Sequence, residues 1–482
     1  MDYTQFLTAS LQSRLAGIVI TRIAAAAIDA VEPGAAVARY IHRTDDQLRI
    51  GDSIYSITDI NRIFIVAAGK ASIPMAKSLF KILGNDMYGG VVLTKPGSVS
   101  TSSWAIERIN NYHKSPHAFS PTSASNIALQ ADQAIQIIEA GHPIPDENGM
   151  EGARLITDLL QSTTPQDLVI ILISGGASAM LVLPVEGITL ADIQNLTGVL
   201  LACGANIYEI NTIRKHIEQL KGGQLARIAS PARIVGLILS DVVGDSLEVI
   251  GSGPTVADTT TYRDAFAILE RYDIVEQIPQ SILHHLQRGI CGEVPETPKQ
   301  GDPIFSNVHN QVIGSNQQAA DAALSQAKAE GFNSLILTTS LQGEARQAGA
   351  WLASIVRQLA LHDQPIPRPA CLIVGGETTV TVRGNGLGGR NQELALAAVI
   401  ELVGIPNVVL VAFSTDGSDG PCDAAGAVVT GESLQQAQNR GMDPADYLAR
   451  NDAYHFFEPL GDLLKSGPTL TNVNDLILLF AY

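Results

Sequence analysis

The chain has 482 residues, with 31 Lys and Arg against 48 Asp and Glu, a formal charge of −17. So acidic a sequence, without a long basic run, excludes a phosphodiester-binding surface, and any anion it holds is small and locally gripped. Hydrophobic residues make up 46% and charged residues 16%, which excludes a disordered chain and, at this length, corresponds to about two to four domains.

Taken in chain order, residues 3–30 read as a helix, with Ala24 to Ala27 in its interior and Glu32-Pro33-Gly34 ending it. The N-terminus is acidic or polar where a secretion signal is basic. Short apolar runs then alternate with helical stretches: Ile63–Val66, Gly90–Leu93, Leu168–Ile173, Ile234–Leu239, Ser334–Leu337, Cys371–Val374 and Asn407–Val411. Their hydrophobicity is continuous, the mark of strands covered on both faces. The expected fold is therefore α/β, with two largely parallel sheets and right-handed crossovers. Leu168–Val185 is almost long enough to span a bilayer, but Ser174-Gly175-Gly176-Ala177-Ser178 interrupts it. It reads as strand, loop and helix, so no membrane span is expected. A linker is expected in the Pro-rich, charged stretch Gly292–Pro303, giving domains 1–290 and 305–482. The second Pro-rich piece, Gln364–Pro369, feeds the strand that follows it. Four cysteines, Cys203, Cys291, Cys371 and Cys422, lie far apart without CxxC spacing, which points to a reduced, cytoplasmic protein.

The 43 glycines, about 9% of the chain against a usual ~7%, cluster where strands end. Ligands of open α/β sheets bind there, because helix N-termini with free amides converge. Lys70 follows Gly69 at one such end. The GxxxxGK[ST] spacing of a P-loop is absent, yet a cation so placed can meet a phosphate. Arg390 closes the run Gly384-Asn385-Gly386-Leu387-Gly388-Gly389, where backbone can approach an anion and the guanidinium offers a planar fork. Asp416, Asp419 and nearby Asp423 are loop carboxylates suited either to Mg²⁺ or to helix capping, and Asp241 with Asp245 forms a similar pair. His142 and His216 lack metal spacing and read as substrate contacts or structural histidines.

These residues carry a resemblance. Ala68-Gly69-Lys70-Ala71-Ser72, Gly141-His142-Pro143-Ile144-Pro145-Asp146, Ser174-Gly175-Gly176-Ala177-Ser178 and Asn211-Thr212-Ile213-Arg214-Lys215-His216 are similar to motifs of the glycerate 2-kinase family. So are Ser240-Asp241-Val242-Val243-Gly244-Asp245, Gly251-Ser252-Gly253-Pro254-Thr255, Gly375-Gly376-Glu377-Thr378, Gly388-Gly389-Arg390-Asn391-Gln392-Glu393, Thr415-Asp416-Gly417-Ser418-Asp419-Gly420 and Thr471-Asn472-Val473-Asn474-Asp475-Leu476. The C-terminal part of that family is called the MOFRL domain, and its members are often labelled hydroxypyruvate reductases. The sequence departs from the family in extra material around Ser98 to Gln136 and in Leu470, where a glycine is more usual.

The resemblance implies a Rossmann-like N-terminal domain, a smaller MOFRL domain and a cleft between them. It also implies transfer of the γ-phosphoryl of ATP to the C2 hydroxyl of D-glycerate, with Lys70 and Arg390 as the family's lysine and arginine. On that basis Gly175, Gly176, Gly388 and Gly389, with Ser174, Ser178 and Asn391, are expected to bind phosphate or substrate. Asp241 is expected to orient or deprotonate the hydroxyl, and Asp416 or Asp419 to hold Mg²⁺. The expected partners are D-glycerate and ATP, with no nucleic acid and no membrane; a homodimer is left open. One alternative is an NAD(P)H-dependent hydroxypyruvate reductase, against which no strand is followed by GxGxxG with an acidic residue about 20 positions on. Another is a non-catalytic sugar-acid binding protein.

Overall fold

In the computed structural model, residues 2–99 and 135–482 are described, so the extra material at Ser98–Gln136 lies, apart from its ends, outside the described residues. The chain forms two compact units. One comprises Pro33–Ser240 and Asp245–Ile313, and the other Met1–Glu32, Asp241–Gly244 and Gly314–Tyr482.

This division departs from the expected boundaries at both places. The stretch Gly292–Pro303 is no linker, because it is tied inside the first unit: Thr297 is 2% exposed and its Oγ1 donates to Asp258 Oδ2 at 2.9 Å. The N-terminal residues belong with the C-terminal half because the helix Gly17–Asp29 packs on the helix Asn316–Ala329. An apolar stripe such as Ile20, Ile23, Ala24 and Ala27 declares that it is buried but not against what. Nor is residues 3–30 one helix. A 3-10 turn Tyr3–Phe6, a short helix Ala9–Gln12 and the helix Gly17–Asp29 replace it, and Pro33 opens the next helix, Pro33–Tyr40, as proline at a first turn can.

The first unit opens with an antiparallel meander of β1 (Ile41–Thr44), β2 (Gln47–Ile50) and β3 (Ser53–Ser56). Its main sheet contains β4 (Ile63–Ala68), β5 (Met87–Thr94), β6 (Ile135–Glu139), β7 (Leu168–Ile173), β8 (Arg233–Leu239) and β9 (Val308–Gly314), in the order β6-β5-β4-β7-β8-β9. The pairings β4–β5, β5–β6, β4–β7 and β7–β8 are parallel, as their continuous apolar runs imply. The chain leaves β4 towards β6 on one side and returns to β7 on the other. The switch point therefore lies between β4 and β7, whose ends are in register at Ala68 and Ile173.

The second unit holds β10 (Asn333–Leu341), β11 (Ala370–Gly376), β12 (Val408–Ser414), β13 (Gly426–Thr430), β14 (Leu463–Leu464) and β15 (Asp475–Ala481), in the order β10-β11-β15-β12-β13-β14. Here the expectation of a largely parallel sheet fails. Only β10–β11 is parallel; β15 runs antiparallel between β11 and β12, and β13 returns antiparallel beside β12. Residues 476–481 are all apolar and all buried, a pattern that is the same for either strand direction. The reversal matters for the site, since β15 begins where β11 and β12 end: Asp475 stands opposite both Gly376 and Ser414. Helices Ala345–His362 and Arg390–Glu401 cover this sheet through Leu352, Val356, Leu394 and Val399, packed with Leu372, Leu410 and Leu479.

Candidate active site

At the switch point of the first unit, the loops after β4 and β7 are fastened to each other. Lys70 N–H donates to Gly175 O at 2.8 Å, Ala71 N–H to Ser174 Oγ at 3.0 Å, and Ser174 N–H to Ala68 O at 3.0 Å. A Cβ on Gly69, whose φ is +126°, would lie 2.3 Å from Ser174 Oγ and 2.4 Å from Ser174 O, so only glycine lets the loops close. Ser174 is thus a brace, 1% exposed, rather than the substrate contact expected of it. Gly176 and Ser178, by contrast, are partly exposed.

Gly176 sits against His142: a Cβ there would lie 2.9 Å from the ring Cδ2. Burial, together with the Lys70 and Lys95 ammonium groups, pushes the His142 imidazole down to about 4. The ring is therefore neutral at pH 7, and both lysines act on it electrostatically. Among the described residues neither lysine has a carboxylate within ion-pair distance, although the protein is acidic. Lys95 escaped the sequence reading because nothing marks a lysine after β5 until β5 is known to flank β4. His216 proves structural: buried, it pairs Nδ1 with Thr212 O at 2.7 Å and Nε2 with Glu296 Oε1 at 3.0 Å.

Ser178 Oγ is hydrogen-bonded to Ser252 Oγ, which donates in turn to Asn211 Oδ1 at 2.8 Å. Ser252 lies between Gly251 and Gly253, and all three have positive φ, 59°, 62° and 62°. A serine held there, costing on the order of 1 kcal/mol, is fixed by its hydroxyl network. Asp241 follows β8 and is half-buried; its segment Asp241–Gly244 groups with the second unit.

In the second unit Arg390 starts the helix Arg390–Glu401, but its fork is largely occupied. Nε and Nη2 donate to Asp475 at 2.6 and 3.0 Å, and Nη1 donates to Glu377 Oε1 at 2.6 Å. Three of its five N–H groups therefore face carboxylates and two remain for a ligand. Burial lowers the guanidinium, yet the Asp475 and Glu377 pairs outweigh it and hold it above its ordinary range. Burial pushes the Asp475 carboxyl up to about 7 against the pull of Arg390.

Asp419 does not fit the expected metal role. It is sealed in the core, with Oδ1 accepting from Asn391 N and Nδ2 at 3.1 and 3.3 Å, and Oδ2 from Gln392 N and Nε2 at 2.9 and 3.1 Å. Four N–H donors saturate a carboxylate, so Asp419 satisfies the orphan amides of the helix Arg390–Glu401 instead. Gly389 permits this approach, since a Cβ on it would lie 2.4 Å from Asp419 Cγ. Asn391, expected to bind substrate, is likewise buried and turned to Asp419. Asp416 is half-buried, its Oδ1 accepting from Ser414 Oγ at 2.8 Å and Ser418 N at 2.9 Å. Asp423 accepts from Tyr454 OH at 2.8 Å. No group of three or more His, Cys, Asp or Glu among the described residues is arranged to hold a metal ion.

A glycine-lined switch point, with lysines that have no carboxylate partner among the described residues and no dinucleotide fingerprint in the sequence, is the kind of site that α/β enzymes of small anionic metabolites have. Comparison with known proteins agrees. Residues 19–287 match a family model described as a domain of unknown function (DUF4147), and residues 370–475 match the MOFRL family. A D-glycerate 2-kinase of Thermotoga maritima is 44% identical over 87% of this chain and 91% of its own. A glycerate 2-kinase of Pyrococcus horikoshii is 42% identical over 95% of each chain. The crystal structure of a glycerate kinase from Thermotoga maritima superposes with a TM-score of 0.79 at 41% identity, covering 96% of this chain and 99% of that one. The chain belongs to the glycerate 2-kinase family.

Proposed function

We infer that this protein is an ATP-dependent glycerate 2-kinase: the C2 hydroxyl oxygen of D-glycerate attacks the γ-phosphorus of ATP, the bond to the bridging oxygen breaks, and 2-phosphoglycerate and ADP leave. The observation that carries this is Lys70 at the β4–β7 switch point, acting with Lys95 on His142 and without a carboxylate in ion-pair distance among the described residues, in a chain 44% identical to a D-glycerate 2-kinase. Phosphoryl transfer requires alignment and charge neutralisation more than covalent help. Lys70 supplies positive charge to the transferring phosphoryl group, Arg390 offers a substrate anion the two N–H groups that it does not donate to Asp475 or Glu377, and Gly176, Gly388 and Gly389 leave backbone accessible to anions. Asp241 orients the acceptor hydroxyl and takes its proton. Mg²⁺ would neutralise the nucleotide phosphates, and Asp416 would be the carboxylate to hold it.

The test is direct. Enzyme, D-glycerate, ATP and Mg²⁺ are followed through enolase, and NADH oxidation with hydroxypyruvate is followed separately. ATP-dependent enolase substrate is the expected result. NADH oxidation without it would overturn the kinase reading and favour the reductase.

A further inference from the structure

The helix Ile207–Ile217 buries a cation that the phosphoryl chemistry does not use. Arg214 is 9% exposed, and among the described residues its two hydrogen bonds are long and go to hydroxyls, Nη1 to Ser178 Oγ at 3.5 Å and Nη2 to Thr197 Oγ1 at 3.3 Å. Among the described residues no carboxylate lies within 4.0 Å of its guanidinium. Its buried neighbours are provided for: Lys215 pairs with Asp258 at 3.2 Å and Lys221 with Glu218 at 2.6 Å. Lys221 also donates to Ser178 O at 2.7 Å. The charges beside Ser178 are therefore Arg214 and Lys221 against Glu218, a net of one positive charge in a desolvated place. Burial lowers the Arg214 guanidinium, and pushes Lys221 down to about 8 against the pull of Glu218. Glu218 acts on Arg214 only from beyond ion-pair distance, and a buried guanidinium with no carboxylate within 4.0 Å among the described residues calls for an anionic partner, since burial is costly unless the charge is paired.

We propose that Arg214, with the Ser178 hydroxyl, binds the carboxylate of the hydroxy-acid substrate and so makes the enzyme select an acid over the corresponding neutral polyol. The proposal rests on the glycerate reading. Three features choose a carboxylate over a phosphate. The net charge to be balanced is single, a planar fork matches a planar anion, and the phosphoryl group has its own cation at Lys70. Ser178 is the partly exposed end of this arrangement, two residues beyond the Gly176 that touches His142. A three-carbon 2-hydroxy acid has its hydroxyl carbon one bond from the carboxylate, and Ser178 and Lys70 follow the neighbouring strands β7 and β4.

The test compares wild type with Arg214→Lys and Arg214→Met in steady-state kinetics and in thermal melts with D-glycerate or glycerol. Losing one partner of a buried charge pair predicts a KM for glycerate raised about a hundredfold, with the KM for ATP within twofold. Glycerate should raise the melting midpoint of wild type and not of Arg214→Lys, and glycerol should raise neither. If Arg214→Met does not fold, Ser178→Ala is expected to raise the glycerate KM alone. An unchanged glycerate KM in folded Arg214→Lys, or equal rises for glycerate and ATP, would overturn the assignment. Should wild type not phosphorylate glycerate at all, the kinase reading fails. The carboxylate site then stands or falls on the melts, with glycerate stabilisation lost in Arg214→Lys supporting it and no stabilisation of wild type refuting it.

Discussion

Replacing Asp475 by Asn separates two effects that a buried ion pair combines. Asn keeps the shape of the side chain and one acceptor but removes the charge that holds Arg390 through Nε and Nη2. The native carboxyl titrates near 7 because it is 1% exposed, whereas the same group in the unfolded chain titrates near 3.8. A carboxyl raised on folding contributes stability that is present below the unfolded value and lost as pH rises through the folded one. Between pH 5 and 8 the wild type should therefore lose on the order of 2 kcal/mol relative to Asp475→Asn, in which this position does not titrate. Urea unfolding of both proteins at the two pH values measures the difference, because every other titrating group cancels. The substitution should cost less at pH 8 than at pH 5, while kcat at pH 8 falls about a hundredfold as the Arg390 fork loses its anchor. Equal penalties at pH 5 and 8 would refute the claim that burial outweighs pairing at Asp475. An unchanged kcat would refute its role in positioning Arg390.

Gly69→Ala should destabilise the first unit by about 3 kcal/mol in urea unfolding, because its Cβ would meet Ser174 backbone at 2.4 Å; a change under about 0.5 kcal/mol would show that the two loops can part. Lys70→Met should lower kcat about a thousandfold with the fold retained, and should raise the His142 pKa from about 4, read by NMR, since a neighbouring positive charge is gone. Asp419→Asn should cost about 1–2 kcal/mol through the lost helix cap yet leave the Mg²⁺ concentration for half-maximal rate unchanged, whereas Asp416→Asn should raise it. Leu470 has φ 65° and is largely exposed, so Leu470→Gly should stabilise the protein by about 1 kcal/mol, measured as a raised melting midpoint.

The parallel sheet of the first unit was legible because β4, β7 and β8 are unbroken apolar runs that only a doubly covered strand tolerates. Lys70 and Arg390 stood out as candidates because glycine beside a lone cation is a local pattern. Their surroundings were not local. Asp475 lies 85 positions from Arg390 in sequence and meets it only because β15 enters the sheet backwards, which hydrophobicity does not encode. Asp419 was ambiguous between capping and metal binding until the helix that it caps was seen to take every lone pair. Arg214 stood in a recognisable motif, but the want of a counter-charge around it appears only once helix Ile207–Ile217 is folded against Ser178 and Thr197. At Leu470, where the family more usually has glycine, the backbone is left-handed with a leucine in it.

The antiparallel entry of β15 gives the second sheet an unusual order of assembly. Its middle strand, flanked by β11 and β12, is the last of its strands to leave the ribosome. Until residues 475–481 emerge, β11 and β12 have no partner between them and Arg390 lacks the carboxylate that takes two of its N–H groups. A chain cut short before Asp475 would thus keep Arg390 and lack the strand that anchors it.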